Sequence, residues 1–348
     1  MRRIITGLLT LAVAGAALVG CSPGGDAVPT IALLLPDKKT ARYETFDRPV
    51  FEERIADSGE ATVLYTNADQ DAARQQQQAE SALAAGARVL VLDPVDGRAA
   101  ASILAAATAE GVPVIAYDRM IVGGGTPAYY VSFDNERVGQ LQAEALVAEL
   151  EARGTVDGGI LMVHGAPTDS NAAQFRDGAR SVISRAGLRV LAEYDTPDWS
   201  PDKAQAWVAG QISQYGDEIV GVYAANDGTA SGAVAALRAA AVDPFPVVTG
   251  QDAELAALQR IVAGDQHMTV YKALRAQATI AADVALALAR GEDVTGDTTV
   301  GGVEATLLEP VAVTAADIAE TVVADGFWSV ADICTPAYAA ACEEAGLG

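Results

Sequence analysis

Apolar runs that resemble buried strands alternate with helix-like segments from residue 30 to residue 324, and this alternation most limits the folds open to the chain. The clearest strand lies in Val112–Ile121, where a run of apolar residues leads directly into Asp118 and Arg119. A continuous apolar run after a helical segment is typical of a strand covered on both faces, as in a parallel sheet. Regular alternation predicts parallel sheets wound by right-handed crossovers. Because one sheet of about ten or more strands would be unusual, we expect two doubly wound α/β lobes.

Polar side chains follow four of these strands at the point where each strand ends. In open α/β sheets, ligands bind just outside the carboxyl ends of the strands. Carboxylates, amides and cations at that edge can hydrogen-bond an uncharged polyol, whose hydroxyls both donate and accept. The residues concerned are Asp118, Arg119, Asn226, Asp227, Gln251, Asp252 and Lys272.

The charge balance is strongly acidic, with 46 Asp and Glu against 23 Lys and Arg and a net charge of −23. We interpret this excess as a solvated acidic surface. Such a surface repels nucleic acid and anionic lipid, so neither is expected as a partner.

Residues 1–20 have the pattern of a secretory signal, with Arg2-Arg3 followed by the apolar segment Ile4–Val19. The alternative is a permanent membrane helix, but the run is shorter than the about 20 residues that spanning requires. The segment ends in Leu18-Val19-Gly20-Cys21 and resembles the bacterial lipoprotein box. The resemblance implies cleavage before Cys21, lipidation of its thiol, and a tether over residues 21–29.

Two further cysteines, Cys334 and Cys342, lie eight residues apart near the end of the chain. Outside the cytoplasm a disulfide between them is expected, although two free thiols remain an alternative. A metal site is not expected, because neither His164 nor His267 has a partner at metal-ligand spacing. The acidic stretch at residues 67–71 lacks the Gly and Glu of a calcium loop and predicts a strand end followed by a helix cap.

Several sequence words in a fixed order resemble one family over residues 30–330, namely the type I sugar-binding proteins that serve ABC importers, and among them the xylose-binding members. The words are Ala-Tyr-Asp-Arg-Met-Ile (116–121), Tyr-Val-Ser-Phe-Asp-Asn-Glu (130–136), Gln-Ala-Glu-Ala-Leu-Val (142–147), Ala-Asn-Asp-Gly-Thr-Ala-Ser-Gly-Ala (225–233), Gln-Asp-Ala-Glu-Leu-Ala (251–256) and Met-Thr-Val-Tyr-Lys (268–272). The chain after Trp328 lies outside this resemblance.

The resemblance implies a type I periplasmic binding protein with two lobes joined by three crossovers. It also implies a monosaccharide in the cleft, with D-xylose as the expected sugar. The N-terminal lobe would comprise 30–132 plus 273–305 and the C-terminal lobe 133–272 plus 306–330, followed by a Cys-containing tail over 331–348. The implied protein is a monomer on the extracytoplasmic face, tethered only by its lipid anchor. It would need no cofactor and would deliver sugar to ABC permease and ATPase subunits.

The resemblance also assigns sugar contacts to individual positions. Asp118 and Arg119 would form an acid–base pair at the ring edge, and Trp199 would stack on a sugar face. For several positions a simpler alternative exists, such as a surface ion pair or a helix cap. The remaining contacts would be Arg42, Tyr43, Asp169, Asn171, Asn226, Asp252 and Lys272. Asp227 is expected to cap the next helix instead, and Trp207 to lie in the core.

Three other functions compete with sugar transport as interpretations of this sequence. A glycosidase could use Asp118 and Asp252 as paired carboxylates, but the neighbouring Arg and Lys would keep both acids ionised. A sugar-responsive transcription regulator needs a basic helix-turn-helix before the first strand, where this chain carries the lipoprotein signal. A sugar sensor that signals through a membrane partner is compatible with transport and leaves no separate trace in the sequence.

Overall fold

The computed structural model describes residues 28–347. The predicted signal peptide, the lipidation of Cys21 and most of the tether lie outside these residues. The strands, numbered in chain order, are β1 Thr30–Leu35, β2 Thr62–Asn67, β3 Ala87–Leu92, β4 Val114–Tyr117, β5 Tyr129–Phe133, β6 Gly159–His164, β7 Arg189–Asp195, β8 Ile219–Ala224, β9 Val247–Val248, β10 Met268–Tyr271, β11 Thr298–Val300, β12 Val303–Leu308 and β13 Val311–Thr314.

The α-helices alternate with these strands along most of the chain. They are α1 Arg48–Ser58, α2 Ala72–Ala84, α3 Ala101–Ala109, α4 Asn135–Arg153, α5 Ser170–Ala186, α6 Pro201–Tyr215, α7 Asp227–Ala239, α8 Leu255–Val262, α9 Leu274–Ala289, α10 Val330–Ile333 and α11 Ala339–Glu344. Short turns of 3-10 or π-helix occur at Tyr43–Asp47, Pro197–Trp199, Gly216–Glu218, Ala315–Asp317 and Ala319–Val323. No helix within residues 28–347 is both long and apolar enough to cross a bilayer.

Two separate sheets organise the fold. The first has the order β11-β12-β5-β4-β3-β1-β2 and is parallel except for its edge strand β11. The second has the parallel order β7-β6-β8-β9, and the antiparallel pair β10–β13 lies beside it through hydrogen bonds such as Val270 N–H to the Gly250 carbonyl at 2.9 Å. The expectation of two doubly wound α/β lobes is therefore confirmed.

The first sheet is covered on both faces, as its apolar strands predict. In β1, Ile31, Leu33 and Leu35 pack with α1 and α9, whereas the alternate residues Ala32 and Leu34 pack with α2 and α3. Successive side chains of a strand point to opposite faces, so a strand buried on both sides must be apolar throughout.

In the second lobe, helices α4 and α5 approach closely because a glycine of each faces the backbone of the other. A Cβ at Gly139 of α4 would lie 2.0 Å from the Phe175 carbonyl oxygen of α5, and one at Gly178 would lie 2.1 Å from that of Glu136. The close approach of α4 and α5 fixes the start of α5, which carries two of the cavity residues described below.

The chain passes between the two sheets after β5, after β10 and after β12. The apolar pattern of residues 308–313 predicts one short strand, but the structure has two strands separated by Glu309 and Pro310. Leu308 pairs with Phe133 in the first sheet, and Val311 pairs with Tyr271 beside the second. Pro310 has no N–H to donate to a ladder, so a continuous strand would be disfavoured there. The residues at which the lobes divide remain a prediction.

The end of the chain packs on the second lobe and contains a disulfide. The sulfurs of Cys334 and Cys342 are bonded, with a Cα–Cα distance of 5.8 Å. Cys342 lies in an apolar cluster with Ile333, Phe327 and Leu258 of α8. The sequence does not predict the two helices α10 and α11 in this segment. The pattern of residues 315–324 predicts a helix, but the structure has 3-10 and π turns there.

Replacing both cysteines of this pair by serine should lower the free energy of unfolding by about 2–3 kcal/mol, because a short closed loop gains freedom in the unfolded chain. Urea unfolding of the wild type and of the Cys334→Ser/Cys342→Ser variant measures the difference. Wild-type protein under reducing conditions should match the variant. Equal unfolding midpoints in oxidised and reduced wild type would contradict this prediction.

Candidate functional site

A polar cavity lies between the lobes, at the carboxyl ends of both sheets. The structure brings all ten residues predicted as sugar contacts to its wall. They are Arg42, Tyr43, Asp118, Arg119, Asp169, Asn171, Trp199, Asn226, Asp252 and Lys272. Their common location follows from the fold, because each lies in a segment that leaves the carboxyl end of a strand. Their role as sugar ligands remains a prediction.

The lobes are closed over this cavity and bonded to each other across it. Arg119 of the first lobe lies 2.9 Å from the Asp169 carboxylate of the second. The Asn171 side-chain amide donates to the Asp118 carbonyl at 3.1 Å, and the Met120 N–H donates to the Ser170 hydroxyl at 2.9 Å. The cavity residues are consequently buried, with Asp118 and Arg119 each 4% exposed.

Arg42 is held by groups that local sequence patterns do not reveal. Its Nε and Nη2 donate to the two Asp47 oxygens at 2.9 and 2.7 Å, Nη2 also donates to Gln277 at 2.7 Å, and Nη1 donates to Asp118 at 2.9 Å. A guanidinium carries five N–H groups, so four are occupied and one on Nη1 remains for a ligand.

Arg119 is fixed from four sides. Besides Asp169, its Nε lies 3.4 Å from Asp93, Nη1 donates to the Pro94 carbonyl at 3.1 Å and Nη2 donates to the Tyr43 hydroxyl at 3.1 Å. Asp93 is fully buried and neither of its carboxyl oxygens accepts a hydrogen bond from the described residues. The Arg119 guanidinium is therefore the main group that compensates the charge of two buried acids.

The acids around these cations titrate differently. Burial raises the pKa of Asp93 and of Asp169, and the nearby Arg119 only partly offsets this rise. Burial also acts to raise the pKa of Asp118, but Arg42, Lys272 and Arg119 outweigh it and hold that pKa below its usual value. Asp118 thus stays ionised and serves as a hydrogen-bond acceptor rather than a proton donor.

Lys272 and Asp252 form the ion pair on the second lobe's side of the cavity. The Lys272 ammonium lies 2.8 Å from Asp252 and sits over the rings of Phe133 and Phe175, at 5.3 and 5.9 Å from their centroids. An ammonium over aromatic faces is favourably placed and remains available to a hydroxyl.

Three of the cavity residues have left-handed backbone conformations that are unusual for non-glycine residues. The φ angles are 58° at Asp118, 54° at Trp199 and 94° at Asp252. Such conformations cost about 1–3 kcal/mol each and persist where the surrounding structure imposes them, often at functional sites. Their coincidence in one cavity is an independent reason to assign function to it.

The Trp199 ring is placed by Asp169 and by Gly165. Its indole N–H donates to Asp169 at 3.1 Å, and the ring meets Phe175 edge-on with centroids 6.3 Å apart. A Cβ at Gly165 would lie 2.0 Å from the indole Cη2 atom. The absence of a side chain at residue 165 therefore makes room for the ring.

Gly165→Ala should displace the Trp199 ring and weaken ligand affinity by roughly tenfold or more. Calorimetric titration with the ligand measures the loss. Gly210→Ala is the matched control, because a Cβ at that position in α6 meets no atom within 4 Å, and its affinity should be unchanged. Equal affinities for the two variants would show that the ring position does not depend on Gly165.

The expected role of Asp227 as a helix cap is wrong. The Asn226 side chain caps α7 by accepting from the Thr229 N–H at 2.8 Å. Asp227 is fully buried and accepts from Gln266 at 2.8 Å, from the Thr269 hydroxyl at 3.0 Å and from the Glu254 N–H at 2.9 Å. It therefore braces the loop that carries Asp252.

This bracing predicts a pH dependence of stability. Burial raises the pKa of Asp227 to about 7 and that of Glu254 to about 8. An acid with a raised pKa binds its proton more tightly in the folded than in the unfolded chain, so its stabilisation is present at low pH and is lost as the pH rises toward the folded pKa. The free energy of unfolding should fall between about pH 5 and about pH 8, and it should fall less in Asp227→Asn.

Urea unfolding across this pH range tests the prediction, with Asp157→Asn as an exposed control. The control should keep the wild-type slope of stability against pH. A wild-type slope in Asp227→Asn as well would contradict the assignment.

Three residues of the cavity wall were not predicted as sugar contacts, namely Thr40, Phe175 and Gln251. The sequence places Gln251 at the same strand end as Asp252 but does not assign it to the ligand. Phe175 lies four residues after Asn171, which places both on one face of a helix and could have indicated it. Asp93, behind the wall, directly follows β3 and matches the strand-end pattern.

Trp207, expected in the core, is half-buried and stacks on Tyr194 with an interplanar angle of 9°. The helix cap expected near residue 71 is confirmed, because Asp71 accepts from the Arg74 N–H at 3.0 Å. Among residues 28–347, no group of three or more His, Cys, Asp or Glu is arranged to hold a metal ion.

Comparisons with known proteins agree with the fold and the cavity. A family model described as periplasmic binding protein domain matches residues 31–293. The chain is 34% identical over 305 residues to the D-xylose-binding periplasmic protein of Escherichia coli (strain K12), covering 85% of this chain and 90% of the relative. It is 35% identical over 333 residues to the D-xylose-binding periplasmic protein of Haemophilus influenzae, covering 93% and 97%.

A solved structure shares the architecture. It is an ABC transporter solute binding protein from Clostridium phytofermentans with bound β-D-glucose, with a TM-score of 0.80 and 29% identity, covering 87% of this chain and 99% of that one. The chain belongs to the periplasmic binding protein family and has its type I fold. Within the family it is a type I sugar-binding protein similar over most of its length to D-xylose-binding members, and it is not an enzyme.

Proposed function

We propose that this protein is the lipid-anchored substrate-binding component of an ABC sugar importer and that it binds a monosaccharide, with D-xylose favoured. The observation that carries the proposal is the closed inter-lobe cavity lined by all ten predicted residues. The bound sugar would be delivered to permease and ATPase subunits at the extracytoplasmic face of the membrane. The protein would act as a monomer.

The chemistry of the wall suits a neutral polyol. It offers cationic donors in Arg42, Arg119 and Lys272, and carboxylate acceptors in Asp118 and Asp252. A ligand whose hydroxyls donate and accept can use both kinds of group, whereas a charged ligand would leave one kind unmatched.

The aromatic part of the cavity wall suits the apolar faces of a sugar ring. Tyr43, Phe175 and Trp199 supply aromatic surface for the C–H faces of such a ring. The preference for D-xylose rests on the two D-xylose-binding relatives, which are more similar in sequence than the glucose-bound neighbour.

The same groups explain how a sugar would close the lobes. In an open protein the ions are hydrated, whereas closure without ligand leaves buried groups such as the Gln251 side-chain oxygen without a partner. Each unmet buried group costs about 1–3 kcal/mol. Sugar hydroxyls supply the partners, so ligand shifts the population toward the closed form. Micromolar affinity, about −8 kcal/mol, is a reasonable net result.

Calorimetric titration of the full-length protein in detergent with D-xylose, L-arabinose, D-ribose and D-glucose tests the proposal. We expect one-to-one binding with D-xylose tightest, and no turnover of the bound sugar. Absence of heat with every monosaccharide would overturn sugar binding, and tighter binding of D-glucose would overturn the choice of sugar alone.

The anchor is tested separately. Two acyl chains on Cys21 would give stable membrane attachment where one chain gives only a marginal one. Labelled fatty acid should appear in the wild type and be absent from Cys21→Ser, which should also leave the membrane fraction. Equal labelling of both would refute lipidation at this residue.

A further inference from the structure

The loop that carries Asp252 is held in a strained conformation from several sides. Asp252 and Ala253 have successive positive φ angles of 94° and 49°. The Asp252 N–H donates to the Val270 carbonyl at 2.9 Å, and the Ala253 N–H donates to the Thr269 hydroxyl at 3.2 Å. Such a backbone conformation persists only where several surrounding contacts hold it in place. The direction of the Asp252 side chain therefore depends on the partners of this loop.

One of these partners comes from the far end of the chain. The Trp328 indole N–H donates to the Ala253 carbonyl at 3.0 Å. Trp328 lies beyond residues 31–293, which the family model matches, and at the limit of the resemblance noted in the sequence. Its N–H acts on the residue next to a cavity-lining carboxylate, although Trp328 itself does not line the cavity.

Trp328 is itself fixed by aromatic contacts that reach the other lobe. Its ring meets Phe46 edge-on, with centroids 5.2 Å apart and an interplanar angle of 75°. The preceding Phe327 stacks on Phe46 at 3.9 Å and 15°. Phe46 belongs to the turn Tyr43–Asp47, which contains a cavity residue and the carboxylate that holds Arg42. Phe327 and Trp328 thus contact Phe46, in a cavity-lining turn of the first lobe, and Trp328 also contacts Ala253, in the Asp252 loop of the second lobe.

The chain after Trp328 is secured to the second lobe. The Gln259 side chain of α8 donates to the Asp332 carbonyl at 3.2 Å, and the Ser329 hydroxyl accepts from the Asp332 N–H at 3.2 Å to cap α10. The disulfide closes the next segment. These contacts restrict the movement of the Trp328 side chain. Its indole N–H can therefore hold the Ala253 carbonyl in one position.

We propose that Trp328 is a positioning residue of the sugar site: its indole N–H fixes the Ala253 carbonyl and thereby aims the Asp252 carboxylate and its partner Lys272 into the cavity. This inference rests on the proposed sugar-binding function. It assigns a role in ligand affinity to a residue beyond the part of the chain that the family model matches.

Trp328→Phe tests the inference, because it keeps an aromatic ring against Phe46 and removes only the donor. In full-length protein titrated with D-xylose, affinity should fall about fivefold to tenfold, since a buried carbonyl loses its partner. Trp207→Phe makes the same indole-to-phenyl change at a residue that does not line the cavity, and it should leave affinity within about twofold.

A double-mutant cycle with Asp252→Asn separates positioning from general stabilisation. If Trp328 acts through Asp252, the loss caused by Trp328→Phe should shrink to under about twofold in the Asp252→Asn background. Thermal unfolding of each variant reports whether it is folded. Equal losses in both backgrounds, or wild-type affinity in Trp328→Phe, would overturn the inference while sugar binding by the wild type stands. A wild type that binds none of the sugars would overturn the proposed function itself, and this inference with it.

Discussion

Arg119→Met should abolish measurable sugar binding and lower the free energy of unfolding by about 3–5 kcal/mol. The guanidinium is 4% exposed and lies 2.9 Å from Asp169 and 3.4 Å from Asp93. Its removal leaves two buried carboxylates without this cation and deletes one of the contacts that join the lobes. Calorimetry measures the affinity, and urea unfolding measures the stability.

The loss of stability should be smaller at acid pH. The pKa values of Asp93 and Asp169 are already raised by burial, and Arg119 acts to lower both. Without Arg119 both would rise further, so protonation at low pH would relieve the uncompensated charge. A deficit that grows toward acid pH would contradict this account.

Arg189→Met is the matched control for that substitution. Arg189 pairs with Glu218 at 2.9 Å, but both side chains are 53% exposed. Exposed pairs contribute under about 1 kcal/mol, so neither affinity nor stability should change appreciably. Near wild-type affinity in Arg119→Met would exclude this guanidinium as a ligand and would weaken the proposed site as a whole.

Trp199→Ala is the second substitution with a large expected effect, and it should weaken sugar affinity by more than roughly tenfold. The ring is 6% exposed, lines the cavity, and donates to Asp169 at 3.1 Å. Truncation removes apolar surface from the sugar face and leaves Asp169 without one of its donors. The change should appear mainly in the dissociation constant from calorimetry.

Trp207→Ala provides the comparison, because Trp207 stacks on Tyr194 and does not line the cavity. Its affinity should match that of the wild type even if its stability is lower. Trp199→Phe should fall between wild type and Trp199→Ala, since a ring remains and the indole donor is lost. Unchanged affinity in Trp199→Ala would remove the stacking role.

Most of the architecture could be predicted because short-range residue patterns indicate which strands are buried and where helices begin and end. Apolar strands such as β1 read as buried on both faces, and helix ends such as Asp134 and Gly154 around α4 follow short-range rules. The structure of the chain after residue 295 could be predicted less well from the sequence. The change of sheet between β12 and β13 and the fold of the final segment depend on pairing with distant strands, which no local pattern specifies.

The sequence by itself determined that the chain forms two α/β lobes and that polar residues follow the ends of their strands. The connectivity of parallel sheets then brings those ends to one edge, so residues such as Asp118 and Asp252 could be named in advance. Only the tertiary structure decided what holds them. Gln277 and Trp328 act on the site across long stretches of chain, and a contact between residues far apart in sequence is set by how the lobes pack, not by the residues' own neighbours.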